Sequence, residues 1–398
     1  MARLLILNNE YPADRTHGQH LRIHPLCREL MRTHDCYFIS FSEQESESSR
    51  HDDLQFTEEV YLSPPEKKNR SLTRHFRLSS ARYLEQSSPD YFRRTVAQIR
   101  KLAGQWNIDL LVNFSPRFSE IGKEIDLPRI LDYVDSGTLF IERALAHRGR
   151  EMGMKKRLLG KLQLMRHSAR DRELLGKYDL VTTIAEPDRQ SMLEVSGLAR
   201  DRVIVIPNGV AAELLQQPAM PIERSRSIVF WGNLDFPPNW SAIRYFYTNM
   251  FIPFLAEKGI EWHIIGKGSE GRLDDIAAHP LVRMAGFQPD LVSYVADKGV
   301  MINPMIEGGG LKNKILESFA MNIPIVSSSM GVEAIDGVDG EHYLVADTPE
   351  DFSRCVLRLL DDKELANSIT ESANRFVRES YTWQVVGRRF ADVIESLL

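Results

Sequence analysis

The sequence lacks several features that would assign a protein to a specialised class. It contains no apolar run of about twenty residues, the length that a membrane-spanning helix requires, so we expect no transmembrane segment. Only three cysteines occur in 398 residues, Cys27, Cys36 and Cys355, and their spacing matches neither a CxxC pair nor a set of zinc ligands. Scattered thiols of this kind are typical of a reducing cytoplasm. The first predicted strand begins almost at Met1, so we expect no signal peptide.

The charged residues are distributed unevenly between the two halves of the chain. Residues 1–205 carry 33 Lys and Arg against 29 Asp and Glu, whereas the remainder carries 17 against 26. The basic residues concentrate in residues 67–101 and 143–177. Such stretches either hold a protein on an anionic membrane leaflet or form solvated helix faces. RNA binding is disfavoured, because no RRM, KH or zinc-finger pattern accompanies the charge.

Apolar strands alternate with helices along the whole chain. The pattern predicts strands at residues 3–7, 36–42, 110–114, 129–133, 180–184, 203–206, 228–231, 261–265, 282–285, 299–303, 323–327 and 343–345. It predicts helices at residues 22–33, 91–104, 138–175, 241–254 and 382–398, and a polar loop at 42–53. Alternation of this kind indicates an α/β fold with parallel sheets covered on both faces. The length suits two domains, and the turn Pro207-Asn208-Gly209 places their boundary between about 205 and 225.

The most informative segment is residues 302–329, which reads strand, glycine-rich turn, helix, strand. Three consecutive glycines, Gly308, Gly309 and Gly310, allow backbone N–H groups to approach a ligand, and the next helix directs its positive dipole end to the same point. Lys312 and Lys314 lie in the first helical turn, where cations are unfavourable unless an anion is bound. Glu317 follows within reach of a sugar hydroxyl. The segment therefore indicates a diphosphate site, and the alternative is a glycine-rich loop in an ordinary α/β unit.

The chain resembles the family-4 retaining glycosyltransferases, also called group 1 glycosyl transferases. Residues 308–317 and the strand after them resemble the donor-binding motif G-G-G-x-x-x-K-x-L-E of that family. Residues 177–210, 230–246 and 4–30 are similar to its interdomain segment, to the first strand and loop of its nucleotide domain, and to its first strand and glycine loop. The resemblance implies the GT-B fold, with two Rossmann-like domains and an interdomain cleft. We expect an acceptor domain at 1–210, a nucleotide-sugar domain at 211–380, and a C-terminal helix at 381–398 that returns to the N-terminal domain.

Most candidate site residues follow predicted strands. Ligands of open α/β sheets bind at the carboxyl ends of strands, so these residues are expected to converge on the cleft. In addition to the glycine loop, Lys312 and Glu317, the expected donor-binding residues are Gly18, Gly232, Asn233, Gly286, Phe287 and Leu311. The expected catalytic residues are Lys314, Glu307, Asp135 and Lys267.

The roles follow from the negative charge that develops on a diphosphate leaving group. Relatives usually place a basic pair where this chain has Asn233 and Asn239, so Lys267, Lys312 and Lys314 are expected to supply the charge. Lys314 is the first choice, and Lys312 is expected to point to solvent. By resemblance, Glu317 binds the ribose and Glu307 faces the donor sugar, the alternative for Glu307 being a solvated loop carboxylate.

Asp135 is interpreted as a polar contact to the donor sugar or to the acceptor hydroxyl. Asp132 and Asp135 could alternatively form a metal pair, but no Asp-x-Asp triplet follows a strand and the lysines make a divalent ion redundant, so no metal is expected. His17 and His20 flank Gly18 and are candidates for an acceptor contact.

Together these features predict a retaining transferase that moves a hexosyl group from a UDP- or GDP-sugar to a hydroxyl of a glycan or lipid-linked acceptor. We expect the protein to act in cell-surface polysaccharide biosynthesis. We also expect a cytoplasmic location with peripheral contact to the inner face of the plasma membrane, no required cofactor and no nucleic-acid partner. A nucleotide-sugar 2-epimerase or hydrolase and a degenerate binding protein are the alternatives. The missing basic pair favours degeneration, whereas Lys314, Glu317 and the glycine loop argue against it.

Overall fold

The computed structural model describes residues 1–12, 20–42, 54–65, 82–114, 118–148, 153–216, 223–268 and 271–398. The chain divides into two compact units, the first formed by Met1–Pro207 with Gln384–Leu398 and the second by Asn208–Trp383. Of the loop predicted at residues 42–53, residues 43–53 lie outside the described residues.

The first unit is built on a parallel sheet of seven strands in the order β3-β2-β1-β4-β5-β6-β7. The strands are β1 Arg3–Asn8, β2 Asp35–Ser40, β3 Glu58–Tyr61, β4 Leu110–Asn113, β5 Arg129–Val134, β6 Leu180–Thr183 and β7 Val203–Val205. Sequence analysis missed β3, because its residues EEVY have little apolar content and form an edge strand that is only partly buried.

Helices connect the strands of this sheet. They are α1 His20–Leu30, α2 Tyr83–Ser87, α3 Pro89–Trp106, α4 Ser119–Gly122, α5 Gly137–Arg148, α6 Met154–Leu175 and α7 Glu186–Ser196. The helix predicted at 138–175 is thus two helices, α5 and α6, and residues 149–152 between them lie outside the described part of the chain.

The second unit contains a parallel sheet of six strands in the order β10-β9-β8-β11-β12-β13. The strands are β8 Ser227–Trp231, β9 Glu261–Ile265, β10 Val282–Gly286, β11 Val300–Asn303, β12 Ile325–Ser327 and β13 Leu344–Val345. Their side chains are buried almost throughout β8, β11 and β12, as expected for strands covered on both faces.

The helices of the second unit cover this sheet. They are α8 Pro237–Phe246, α9 Asp274–Ala277, α10 Leu291–Val295, α11 Asn313–Ala320, α12 Ser329–Val332, α13 Pro349–Asp361 and α14 Lys363–Ser380. The helix predicted at 241–254 begins earlier, at Pro237, where proline is tolerated in the first turn, and continues as a π-helix over Tyr247–Leu255. A last helix, α15 Trp383–Glu395, lies mostly within the part of the chain that belongs to the first unit.

The predicted α/β class with two parallel sheets is confirmed. In each sheet the strand order reverses direction once, between β1 and β4 in the first unit and between β8 and β11 in the second. Ligands of doubly wound sheets bind outside the carboxyl ends of the strands at such a switch point. The loops that follow β8 and β11 are therefore where a site in the second unit is expected.

Candidate functional site

The glycine loop lies at this switch point of the second unit. It follows β11, and the loop that follows β8 carries Gly232 and Asn233. The two strands are adjacent, with Ile228 paired to Val300 and Val229 to Met301. Sequence-predicted residues from separate motifs are thus brought to one end of one sheet.

Two of the three loop glycines adopt backbone conformations that favour glycine. Gly308 has φ +111° and Gly310 has φ +64°, and both values lie where side-chain-bearing residues are strained. A Cβ atom at Gly308 would also lie 3.4 Å from Pro238 in the first turn of α8. The backbone shape of the loop therefore favours glycine at positions 308 and 310.

Lys312 does not point to solvent, contrary to the sequence-based prediction. Its ammonium donates hydrogen bonds to the carbonyls of Gly309 and Gly310, at 2.9 and 2.8 Å. The side chain thereby folds back on the glycine loop at the N-cap of α11. These bonds satisfy carbonyl groups of the loop, so Lys312 stabilises the loop in the structure.

Lys314 is the buried cation of the site. Its ammonium donates a 2.9 Å hydrogen bond to Oδ1 of Asn239 and lies 3.9 Å from the centroid of the Phe230 ring. Burial lowers the pKa of Lys314 to about 7, and the nearby carboxylate of Glu317 only partly offsets this effect. An ammonium held in this way gains by binding an anion, because the anion stabilises the charge that burial penalises.

Asn239 is held in place from the other side as well. Its Nδ2 donates a 2.8 Å hydrogen bond to the carbonyl of Asn233, so the amide is oriented with Oδ1 towards Lys314. Asn233 itself is exposed and its side chain accepts a hydrogen bond from the backbone of Asp235. Asn233 and Asn239, where the family resemblance implies a basic pair, therefore act together to position Lys314 of helix α11.

Glu317 lies one turn after Lys314 and is hydrogen-bonded to the end of β8. The indole Nε1 of Trp231 donates to its Oε2 at 2.7 Å. Burial raises the pKa of the Glu317 carboxyl, while the Trp231 hydrogen bond and Lys314 oppose that rise. The indole fixes one oxygen of this half-buried carboxylate, and the ribose-binding role of Glu317 stays a prediction.

The remaining residues of the glycine loop are packed into the unit. Glu307 is 1% exposed, so the alternative of a solvated loop carboxylate is wrong. Leu311 is also buried, whereas Gly309 is half-buried.

Lys267 lies in the loop after β9, Gly286 is the last residue of β10, and Phe287 follows it. The exposed ammonium of Lys267 lies 4.3 Å from the ring centroid of Phe287, which is itself 57% exposed. Backbone hydrogen bonds join these segments to the loop after β8 and to each other, because the N–H of Leu234 donates to the carbonyl of Lys267 and the N–H of Gly266 donates to the carbonyl of Gly286, both at 2.8 Å. Neighbouring loops thus present a cation and an exposed ring, and their roles in donor binding stay predictions.

Asp135 belongs to the first unit, where it is exposed just after β5. Asp132, its partner in the alternative metal pair, is fully buried and accepts hydrogen bonds from Nε and Nη2 of Arg22 at 2.8 and 2.7 Å and from Thr182 at 2.7 Å. This carboxylate is committed to a buried ion pair, which argues against a metal pair with Asp135. Gly18 and His17 lie outside the described residues, as does the side chain of His20.

Neither a cluster of metal-ligating side chains nor a membrane-spanning helix occurs in the described part of the chain. Among the described residues, no group of three or more His, Cys, Asp or Glu side chains could hold a metal ion. Within the same ranges, no helix combines the length and the apolar content needed to cross a bilayer.

Sequence reasoning did not identify Trp231 or the role of Asn239. Trp231 is the last residue of β8 and Asn239 lies in the first turn of α8, and both contact residues of α11. The signal available was their position, since both lie close to the carboxyl end of β8 at the switch point.

Part of the second unit is similar to a known protein family. Residues 225–362 match the model of a family described as glycosyl transferases group 1. An uncharacterized glycosyltransferase of Methanocaldococcus jannaschii is 26% identical over 110 residues, which cover 27% of this chain and 28% of that protein. The chain spans less than half the length of the curated relatives it matches.

Solved structures show a likeness of fold over nearly the whole chain. The Anabaena protein HepE, solved in complex with UDP and glucose, is 13% identical with a TM-score of 0.64, and the alignment covers 100% of both chains. WaaG, described as a glycosyltransferase involved in lipopolysaccharide biosynthesis, is 12% identical with a TM-score of 0.63, covering 98% of this chain and 99% of that one. Residues 225–362 therefore match a group 1 glycosyl transferase domain, and the two α/β units have the fold of the GT-B glycosyltransferases.

Proposed function

We propose that this protein is a retaining glycosyltransferase that uses a nucleotide-diphosphate sugar as donor. The observation that carries the proposal is the buried ammonium of Lys314, which is held by Asn239 beside the glycine loop and one turn before Glu317. A buried cation with a lowered pKa is costly to the fold, and perturbed groups of this kind concentrate at functional sites. The family match over the same residues supports this interpretation.

The arrangement fits the chemistry of a departing diphosphate. Negative charge develops on the leaving group as the glycosidic bond breaks, and a preorganised ammonium stabilises that charge most effectively where water is excluded. In this proposal Lys314 and the N–H groups at the start of α11 bind the phosphates, Lys312 maintains the loop, and Glu317 binds the ribose. Glu307 faces the donor sugar, Lys267 adds a cation, and Gly232, Gly286 and Phe287 line the nucleotide.

The acceptor hydroxyl attacks the anomeric carbon from the same face from which the leaving group departs, and the departing phosphate assists the attack. The anomeric configuration is therefore retained. Asp135 of the first unit contacts the acceptor or the donor sugar. The donor is a UDP- or GDP-sugar, and the complex of HepE with UDP and glucose supports the uridine nucleotide. The description of WaaG as involved in lipopolysaccharide biosynthesis supports a place in cell-surface polysaccharide biosynthesis. In this proposal the acceptor is a glycan or a lipid-linked molecule, and transfer takes place on the cytoplasmic side.

A ligand panel followed by a transfer assay tests the proposal. A ligand at about 100 times its dissociation constant stabilises the folded protein by about 2.7 kcal/mol, so UDP, GDP and their sugars should raise the melting temperature while UMP and free sugars should not. Lys314→Met should abolish that shift, and Lys258→Met, which alters an exposed lysine of the same unit, should retain it.

The products then distinguish the reaction classes. NMR of the product should show transfer with retained anomeric configuration. Donor hydrolysis or epimer formation without any acceptor would instead assign the site to the hydrolase or epimerase class. Absence of any nucleotide-dependent shift would leave a binding protein without a donor site and would refute the proposal.

A further inference from the structure

The N-terminal half of α6 exposes large apolar side chains to solvent. Met154 is 89% exposed, Leu158 69%, Leu159 47% and Met165 64%. Helical geometry places Met154, Leu158 and Met165 on one face, because residues four and eleven positions apart lie close together around the helix. We call these three residues the apolar stripe of α6. Burying such a stripe is favourable, so its exposure indicates a surface that a partner covers.

The rest of this half-helix lies mostly in solvent, so the stripe is accessible. From Met154 to Met165 only Gly160 is fully buried, and there a Cβ atom would lie 2.5 Å from Cδ2 of Leu145 on α5. Contact with the first unit is concentrated in the second half of α6, where Asp171, Leu174 and Leu175 are buried. The helix is therefore anchored at its C-terminal half and presents its N-terminal half outward.

Cations surround the apolar stripe, and acidic residues are absent from the same segment. Residues 152–170 contain no Asp or Glu, whereas Lys155, Lys156, Arg157, Lys161 and Arg166 all lie within two turns of the stripe. Within the described ranges, none of these five side chains forms an ion pair with a carboxylate. A solvated helix face usually carries side chains of both positive and negative charge, whereas this one carries only positive charges.

We propose that this half of α6 docks on an anionic lipid surface, with the apolar stripe inserted between headgroups and the flanking cations at the headgroup level. Long Lys and Arg side chains can bury their stems along an apolar surface while their charges reach the headgroups. Apolar area and attraction to anionic lipid together set the strength of interfacial binding. A protein partner with an apolar groove would explain the stripe alone, whereas a lipid leaflet explains both the stripe and the excess of positive charge.

The docking surface on α6 lies close in sequence to a residue of the proposed reaction, but the lipid-binding proposal does not depend on that reaction. Helix α5, which packs on α6, begins two residues after Asp135, the predicted contact to the donor sugar or to the acceptor hydroxyl. A lipid-linked acceptor would be presented from such a surface. Lipid binding is nonetheless measured separately from transfer, so either proposal can fail alone.

Co-sedimentation of the full-length chain with vesicles tests the docking surface. The protein should bind vesicles of phosphatidylcholine with 30% phosphatidylglycerol and should bind pure phosphatidylcholine only weakly. Leu158→Ser with Met165→Ser should lower the partition coefficient by about tenfold or more, because two inserted side chains are lost. Lys155→Gln with Lys161→Gln should lower it by about twentyfold, since each cation near the surface contributes about fivefold.

Matched controls come from the second unit. Ile252→Ser with Val338→Ser alters two exposed apolar side chains, and Lys258→Gln with Lys363→Gln alters two exposed lysines. Both control variants should bind like the original protein, and all variants should keep its melting temperature. The proposal would be overturned if the Leu158→Ser/Met165→Ser variant bound vesicles as well as the original protein does. It would also be overturned if binding did not depend on phosphatidylglycerol, or if the original protein bound no vesicles.

Discussion

Replacing Lys314 with methionine is predicted to stabilise the protein while it abolishes donor binding. The folded state holds the Lys314 ammonium among buried groups, and its pKa falls from 10.5 to about 7. At about 1.4 kcal/mol per pKa unit, this difference costs the fold about 5 kcal/mol below pH 7. Methionine has a similar length and no charge, so the variant avoids that cost.

The net gain is smaller, because the substitution also removes a hydrogen bond. Oδ1 of Asn239 accepts from Lys314 and would be left buried without that donor, a loss of about 1–3 kcal/mol. Lys314→Met should therefore raise the free energy of unfolding by about 2–4 kcal/mol below pH 7. Turnover should fall by about 10²–10³-fold, as expected when a preorganised leaving-group contact is removed.

The dependence on pH provides the sharper measurement. Between pH 7 and 10.5 the unfolded state binds a proton that the folded state has released, so the unfolding free energy of the original protein should rise with pH. The slope from this one group is about 1.4 kcal/mol per pH unit, and Lys314→Met should lack it. The difference between the two proteins should accordingly shrink from pH 7 upwards and disappear before pH 10.

Urea unfolding at pH 6, 7, 8 and 9 measures this difference. Lys258→Met serves as the control for loss of an exposed lysine in the same unit. Parallel stability curves for the original protein and Lys314→Met would refute the buried-cation argument. Equal, small effects on turnover from Lys314→Met and Lys258→Met would remove Lys314 from the leaving-group site.

Three further predictions address the ribose acid, the metal and the buried ion pair. Glu317→Gln keeps the side-chain shape and an oxygen that accepts from Trp231, but it weakens a charge-assisted hydrogen bond to the ribose. Calorimetry should therefore show UDP binding that is about five- to tenfold weaker. An unchanged affinity would exclude Glu317 from the site. Transfer should persist in excess EDTA because lysines supply the positive charge, and complete loss with rescue by Mg²⁺ or Mn²⁺ would contradict this. Asp132→Asn should cost about 3 kcal/mol of unfolding free energy, since Arg22 would keep its buried charge without a carboxylate. Replacing both members, as Arg22→Met with Asp132→Leu, should recover most of that loss, and no recovery would show that the pair acts through other contacts.

The sequence was sufficient to predict the fold class and the position of the glycine loop. Both depend on short-range patterns, namely the alternation of apolar strands with helices and the placement of Gly308 to Gly310 between a buried strand and a helix. The same patterns failed where local signals were weak. The edge strand β3 has little apolar content, and the break between α5 and α6 falls in a segment whose composition is helical on both sides.

The partners of the site residues were decided by the tertiary structure alone. Lys314 and Asn239 are 75 positions apart, and Trp231 and Glu317 are 86 positions apart. They meet because β8 and β11 are neighbours in the sheet, an order that the strand pattern does not specify. The backbone carbonyls bound by Lys312 and the exposure of the apolar stripe of α6 likewise depend on the folded arrangement. Residue type and spacing thus determined which groups were available for chemistry, whereas long-range packing determined which of them are buried, paired and charged.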